Sequence, residues 1–242
     1  MKEQDGMTAE RIGWLHGRRA RTQPLALVAL LAGIAASMVG CSGGASISAT
    51  PTATPTATAT PAPQTLYQAD WAARPGEWKL PAHWSIVNGQ LVNDGQSAAV
   101  LAVPIPYVVT AQRYTLHMDI RALAANGPGV NNMYGVLGQT PDGKLLYTAE
   151  ASSVEHTLHS YAIVYPASPD PNSNNTFGTA DFTPGRSTRP YVVQSDGQDL
   201  SFITGGGLIG TVRSATPLAP VRFVLVDQNV QLVVESLTIT TP

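Results

Sequence analysis

"RYTLHMDIRAL", residues 113–123, alternates without a fault. Tyr114, Leu116, Met118 and Ile120 fall on one side of an extended chain, and Arg113, Thr115, His117, Asp119 and Arg121 on the other. Successive side chains of a strand point to opposite faces, so this run reads as a strand with one face in a core and one in water. The same period recurs in "KLLYTAEA" (144–151), "SYAIVY" (160–165), "PYVVQSDG" (190–197), "LSFITGG" (200–206), "VRFVLVDQ" (221–228) and "QLVVESLTIT" (231–240). Between the runs stand "NG" (88–89), "PDG" (141–143), "SDG" (195–197) and "GGG" (205–207), which supply the positive φ that tight turns need. From residue 65 onward no stretch carries an apolar repeat at helical spacing. About a dozen short strands at this spacing predict an all-β fold, a two-sheet antiparallel jelly-roll sandwich over 65–242.

The preceding segments read as an address. Arg18, Arg19 and Arg21 close a mixed-charge start, and "PLALVALLAGIAASMVG" (24–40) is apolar and uncharged. A basic region, an apolar region and small boundary residues describe an export signal over 1–40 rather than a fold element. The run is at the short end for a membrane span. Its ending, "MVGC", resembles the bacterial lipobox, which implies cleavage before Cys41 and a diacylglycerol on that sulfur. The expected location is therefore extracytoplasmic, held to the cell membrane by lipid, with each buried CH₂ contributing roughly 0.8 kcal/mol. Cys41 is the one cysteine, so a lipidated chain has neither disulfide nor cysteine-ligated metal. "SGGASISATPTATPTATATPAPQ" (42–64) cannot bury apolar area and favours extended conformations, so 41–64 is expected to be a disordered, semi-rigid stalk.

From Cys41 onward nine Lys/Arg stand against thirteen Asp/Glu, with no basic cluster. That balance argues against nucleic acid or an anionic membrane surface as partner.

The order of features also resembles a family. "WSIVNGQLV" (84–92) is followed by the strand at 113–123, then by "MYGVLGQTPDGKLLYTAEAS" (133–152), "RPYVVQSDGQDLSFITGGGLIGTV" (189–212) and a closing "VQLVVESLTI" (230–239). This series is similar to the concanavalin A-like lectin/glucanase jelly roll, and within it to laminin-G-like and 3-keto-disaccharide hydrolase domains. The resemblance spans nearly all of 65–242. It implies a lectin-like sandwich, with binding of a glycan or another surface component, and in the alternative hydrolysis of a modified disaccharide. A structural or protein-adhesion module is the third reading. The chain departs from the pattern at "TGGG" (204–207), and 166–187 reads as an insertion between strands.

Trp84 shares a strand face with Ile86, which suits burial, and Trp71 reads as a packing residue. Trp78, between Glu77 and Lys79, is left open between core and stacking platform. Glycosidases need two carboxyls about 5–9.5 Å apart; the nearest pair, Glu150 and Glu155, is oddly spaced and falls on opposite faces of a strand. No catalytic residue is assigned. His156 and His159 lack the further ligands that zinc requires. The carbohydrate-contacting candidates are Trp78, His117, Asp119, Tyr147 and Tyr165, with Tyr134 and Tyr161 as further aromatic supply. Asp170, Asn172 and Asn174, with Asn175 beside them, offer hard oxygens for calcium, the single cofactor candidate; the alternative is a solvated polar loop.

Overall fold

The computed structural model describes residues 62–126, 132–154, 157–165, 175–178, 184–185 and 187–242, all within the unit Ala57–Pro242. The expected signal segment, Cys41 and nearly all of the stalk lie outside the described residues.

Fourteen strands are described. The first five are β1 (Thr65–Gln68), β2 (Trp84–Val87), β3 (Gln90–Asp94), β4 (Leu101–Val109) and β5 (Arg113–Ala125). β6 (Asn132–Gln139), β7 (Leu145–Val154), β8 (Thr157–Val164) and β9 (Asn175–Gly178) follow. The series closes with β10 (Arg189–Asp196), β11 (Asp199–Thr204), β12 (Gly207–Arg213), β13 (Val221–Gln228) and β14 (Val230–Thr240). A 3₁₀ turn, Pro75–Glu77, is the only helical element among the described residues.

The strands form two antiparallel sheets. One has eight strands in the order β12-β11-β10-β5-β14-β3-β2, with β1 also on β14; the other has six, β4-β13-β6-β7-β8-β9. The alternation of 113–123 is realised as read: Tyr114, Leu116, Met118, Ile120 and Ala122 are buried and the intervening residues are not. Asn88 (φ 52°) and Gly89 (φ 73°) make the two-residue turn that joins β2 to β3, the geometry that fits strand twist. "YVVQSDGQDLSFIT" is the β10–β11 hairpin, and "TGGG" turns it into β12. The edge strand β4 carries Pro104 and Pro106 among exposed residues, and a proline there withholds the N–H that another chain could pair with.

The core lies between the sheets. Tyr114 and Phe223 meet edge to face at 5.6 Å. The buried tyrosines satisfy their hydroxyls inside it: Tyr114 with Tyr147 at 3.1 Å and with the Leu218 carbonyl at 3.2 Å, and Tyr191 with the Ala149 carbonyl at 2.5 Å. Trp71, Trp78 and Trp84 are 3%, 5% and 6% exposed. The open reading of Trp78 is thus corrected to core, because the 3₁₀ turn folds its ring to within 5.6 Å of Trp71. Tyr147 is corrected too: it is fully buried and faces the other sheet, so it cannot stack on a ligand at the surface. Within 166–187, which sequence reading treats as a loop, β9 adds an edge strand to β8 through Asn175–Gly178. Four residues held by one neighbour carry too little period to be read from sequence.

Candidate functional site

The side chains of β7 divide cleanly. Tyr147, Ala149 and Ala151 point into the sandwich, so Thr148, Glu150 and Ser152 point away from it, on the outward face of the six-stranded sheet. Strand register carries this face sideways from Glu150. Tyr161 of β8 is directly opposite it on one side and Gly135 of β6 on the other, followed by Val226 and Ala102. The next row is Ile163, Thr148, Leu137, Val224 and Pro104.

Glu150 is the chemical centre of this face. It is 6% exposed, and its two oxygens each accept a hydroxyl, one from Thr148 and one from Tyr161. A buried carboxyl is costly unless its oxygens are hydrogen-bonded, and these two donors supply those bonds. Burial and then the adjacent Glu150 charge push the Tyr161 hydroxyl well above the usual phenol range, so it stays a donor. Tyr165, 36% exposed, stands just past the end of β8, four residues beyond Tyr161; burial and then Glu150 raise its phenol too. Its main-chain N–H bonds the Leu146 carbonyl at 2.7 Å, which fixes it beside β7. Gly135 makes the room: a Cβ there would lie 2.3 Å from the Ala149 carbonyl oxygen and 2.8 Å from the Glu150 Cγ.

Among the described strand residues of this sheet, Glu150 is the only carboxylate on the outward face, since Asp227 of β13 points inward with Phe223 and Leu225. Of the sequence candidates, Tyr165 is the one beside β7 in this sheet, next to Leu146 and four residues along the strand from Glu150. His117 and Asp119 do lie together, at 3.6 Å, but on the outward face of the eight-stranded sheet, where Ser236 also donates to Asp119 at 2.6 Å. Asp170, Asn172 and Asn174, like Glu155 and His156, lie outside the described residues. Of His159 only the main chain, in β8, is described. Among the described residues no three His, Cys, Asp or Glu side chains gather as a metal site. Thr148 escapes sequence reading altogether, and the one signal for it was the i, i+2 spacing to Glu150 on a strand.

Solved structures share this fold. The Emp46p carbohydrate recognition domain in its potassium-bound form superposes with a TM-score of 0.55 at 10% identity, over 71% of this chain and 91% of that one. SCLam, a non-specific endo-beta-1,3(4)-glucanase from family GH16, gives 0.54 at 9% identity, over 76% and 93%. The fold is the concanavalin A-like β-sandwich. The exoplasmic/lumenal domain of VIP36, in its Ca²⁺/Man3GlcNAc-bound form, is also of this kind, with a TM-score of 0.51 at 10% identity over 69% and 84%. No protein-family model matches the sequence, and no curated protein matches it. At these identities the concanavalin A-like likeness speaks for architecture, and the chemistry of the site rests on this chain's own residues.

Proposed function

We propose that this chain is a carbohydrate-binding protein that takes its ligand on the outward face of the six-stranded sheet, displayed at the cell surface by a lipid on Cys41. The observation that carries the site is the Glu150 carboxylate, braced by the Thr148 and Tyr161 hydroxyls. A carboxylate has room for about four acceptor bonds, so two remain for the hydroxyls of a sugar, and Tyr165 offers a ring edge or face to its C–H side. The lectin-domain and glucanase neighbours support a saccharide as the ligand class. Calcium, if used, would depend on the oxygens of Asp170, Asn172 and Asn174.

The alternative is a hydrolase acting on a modified disaccharide, favoured by one observation, the presence of Glu150 at the centre of the face. Hydrolysis needs a second carboxyl about 5–9.5 Å away, which no described strand residue of this face supplies. The test is a glycan array probed with the full chain in detergent, with and without calcium, each hit then being incubated and analysed for cleavage. Binding of an intact glycan, weakened at least about tenfold by Glu150→Gln with the melting temperature unchanged, is the expected result. Cleaved hits would move the reading to the hydrolase. Binding indifferent to Glu150→Gln would remove the ligand from this face, and an array without hits would favour protein adhesion.

The anchor has its own test. Cells fed labelled fatty acid should incorporate label into the parent protein and none into Cys41→Ser; an unlabelled parent would refute the lipid.

A further inference from the structure

Around Glu150 the outward face of the six-stranded sheet turns acceptors to a ligand. Each Glu150 oxygen accepts a hydroxyl, so the group stands there as a carboxylate. Thr148 and Tyr161 spend their single O–H protons on it and keep only lone pairs for anything that approaches. The main chain of β7 is paired on both sides and has no N–H to offer. Ser152, the next outward residue of β7, carries a hydroxyl that rotates to accept as readily as to donate.

Among the described residues no Lys or Arg pairs with Glu150. Arg222 of β13 is the only Lys or Arg in the described strands of this sheet. It lies four residues along β13 from Val226, the residue level with Glu150, and two strands across. Strand geometry makes that roughly 13 Å along the sheet and about 10 Å across it, too far for an ion pair. His159 stands one row away, opposite Ser152. The walls are apolar: Val224 and Val226 are buried, Leu137 and Ile163 half-buried, and Ala102 and Pro104 open at the β4 edge. A charge among such groups is screened little, so a cation is held strongly there. The centre is not sealed, since Glu150, Thr148 and Ser152 each keep 6–7% of their surface open and Tyr161 keeps more.

A sugar hydroxyl meets these acceptors with one proton and brings lone pairs that find few donors. An ammonium brings three N–H donors, no lone pair and the missing charge. We propose that the Glu150 face is selective for an aminated glycan, whose residues carry a free primary amine. The ammonium would sit on the open lone pairs of Glu150 and on the Thr148 and Tyr161 oxygens. This rests on the reading of the face as a saccharide site and names the class of saccharide it takes. Acetylation of the amine removes the charge and two donors and adds a carbonyl acceptor, so the acetylated sugar is disfavoured.

Isothermal titration of the full chain in detergent compares four probes. They are a trisaccharide of β-linked glucosamine, its N-acetylated form, cellotriose, and lysine amide blocked at its α-amine. At about pH 7 an amine in the range of an α-amino group is still largely protonated, and an ordinary imidazole mostly neutral. The glucosamine trisaccharide should bind at least about tenfold tighter than either neutral one, because hydrogen bonds to charged groups outweigh neutral ones. That comparison is made on the unaltered protein and needs no variant. Glu150→Gln, with the melting temperature unchanged, should abolish the difference. Asp142→Asn, which removes an exposed charge from the β6–β7 turn, should keep it. Neutral sugars bound through Glu150 as tightly as the amine overturn this selectivity and leave the saccharide reading standing. A preference that persists in Glu150→Gln overturns the seat of the amine. A lysine amide that matches the trisaccharide overturns the sugar class and gives the face to protein lysines. Silence from every probe at millimolar concentration overturns the selectivity as well.

Discussion

Replacing Trp84 by alanine lowers the unfolding free energy by about 3–5 kcal/mol and leaves glycan binding by the folded fraction unchanged. The ring is 6% exposed and belongs to the same core as Trp71, Trp78, Leu91 and Leu237. Truncation there removes a large buried apolar surface and leaves a space that the flanking sheet cannot collapse into. A domain of this kind is stable by only about 5–15 kcal/mol, so the loss is a large fraction of the total. At about 2–4 °C per kcal/mol for a chain of this size, the melting temperature should fall by roughly 6–20 °C. Thermal unfolding with binding assayed below the transition checks it. An unchanged midpoint with lost binding would put the ring at the ligand instead of in the core.

The second large effect is one of pH. Asp227 is 1% exposed, and neither carboxyl oxygen has a hydrogen-bond partner. Burial pushes its carboxyl up to about 8, and the Asp94 carboxylate adds to this; the Val230 N–H works against it without reaching bonding geometry. The native state then holds a proton that the unfolded chain, with a carboxyl near 3.8, has released. Stability therefore falls as pH rises wherever the native state binds more protons. The contribution is complete below about pH 4, declines through the interval up to about pH 8 and is flat above it. About four pH units correspond to a span on the order of 5 kcal/mol. Asp227→Asn, which cannot ionise, should flatten this slope and be the more stable protein at pH 8. Denaturant unfolding at pH 5, 7 and 8.5 compares the two, and parallel profiles would show that Asp227 is not the group responsible.

Much of the architecture was open to reading because period 2 and turn chemistry are local. Residues 113–123 announce β5, and Asn88–Gly89 announces its hairpin. The functional face was harder for a physical reason. Residues 146–152 of β7 are buried on both faces, so alternation there does not distinguish the side facing the core. "KLLYTAEA" made Tyr147 look like an available ring, when the ring fills the core and the charged neighbour looks outward. Glu150 was set against Glu155, close in sequence, whereas the residue that completes its hydrogen bonds is Tyr161, on the next strand and visible only once the register is known. Trp78 misled in the opposite way, since Glu77 and Lys79 beside it suggested exposure and a single 3₁₀ turn was enough to bury it.

The place of β14 bears on how the domain comes into being. The last strand of the sandwich is an interior one, with β5 on one side and β3 and β1 on the other, and β1 meets it in a register that puts Thr65 opposite Thr240. A chain emerging from its N-terminus can pre-form the β2–β3 and β10–β11 hairpins. It cannot close the eight-stranded sheet until Val230–Thr240 has been made, and contacts of such separation in sequence are slow to find. Until then β1, β3 and β5 expose the flanks that β14 will fill, so the nascent domain has no stable half. Loss of β14 would accordingly leave a chain that fails to fold, not a smaller sandwich.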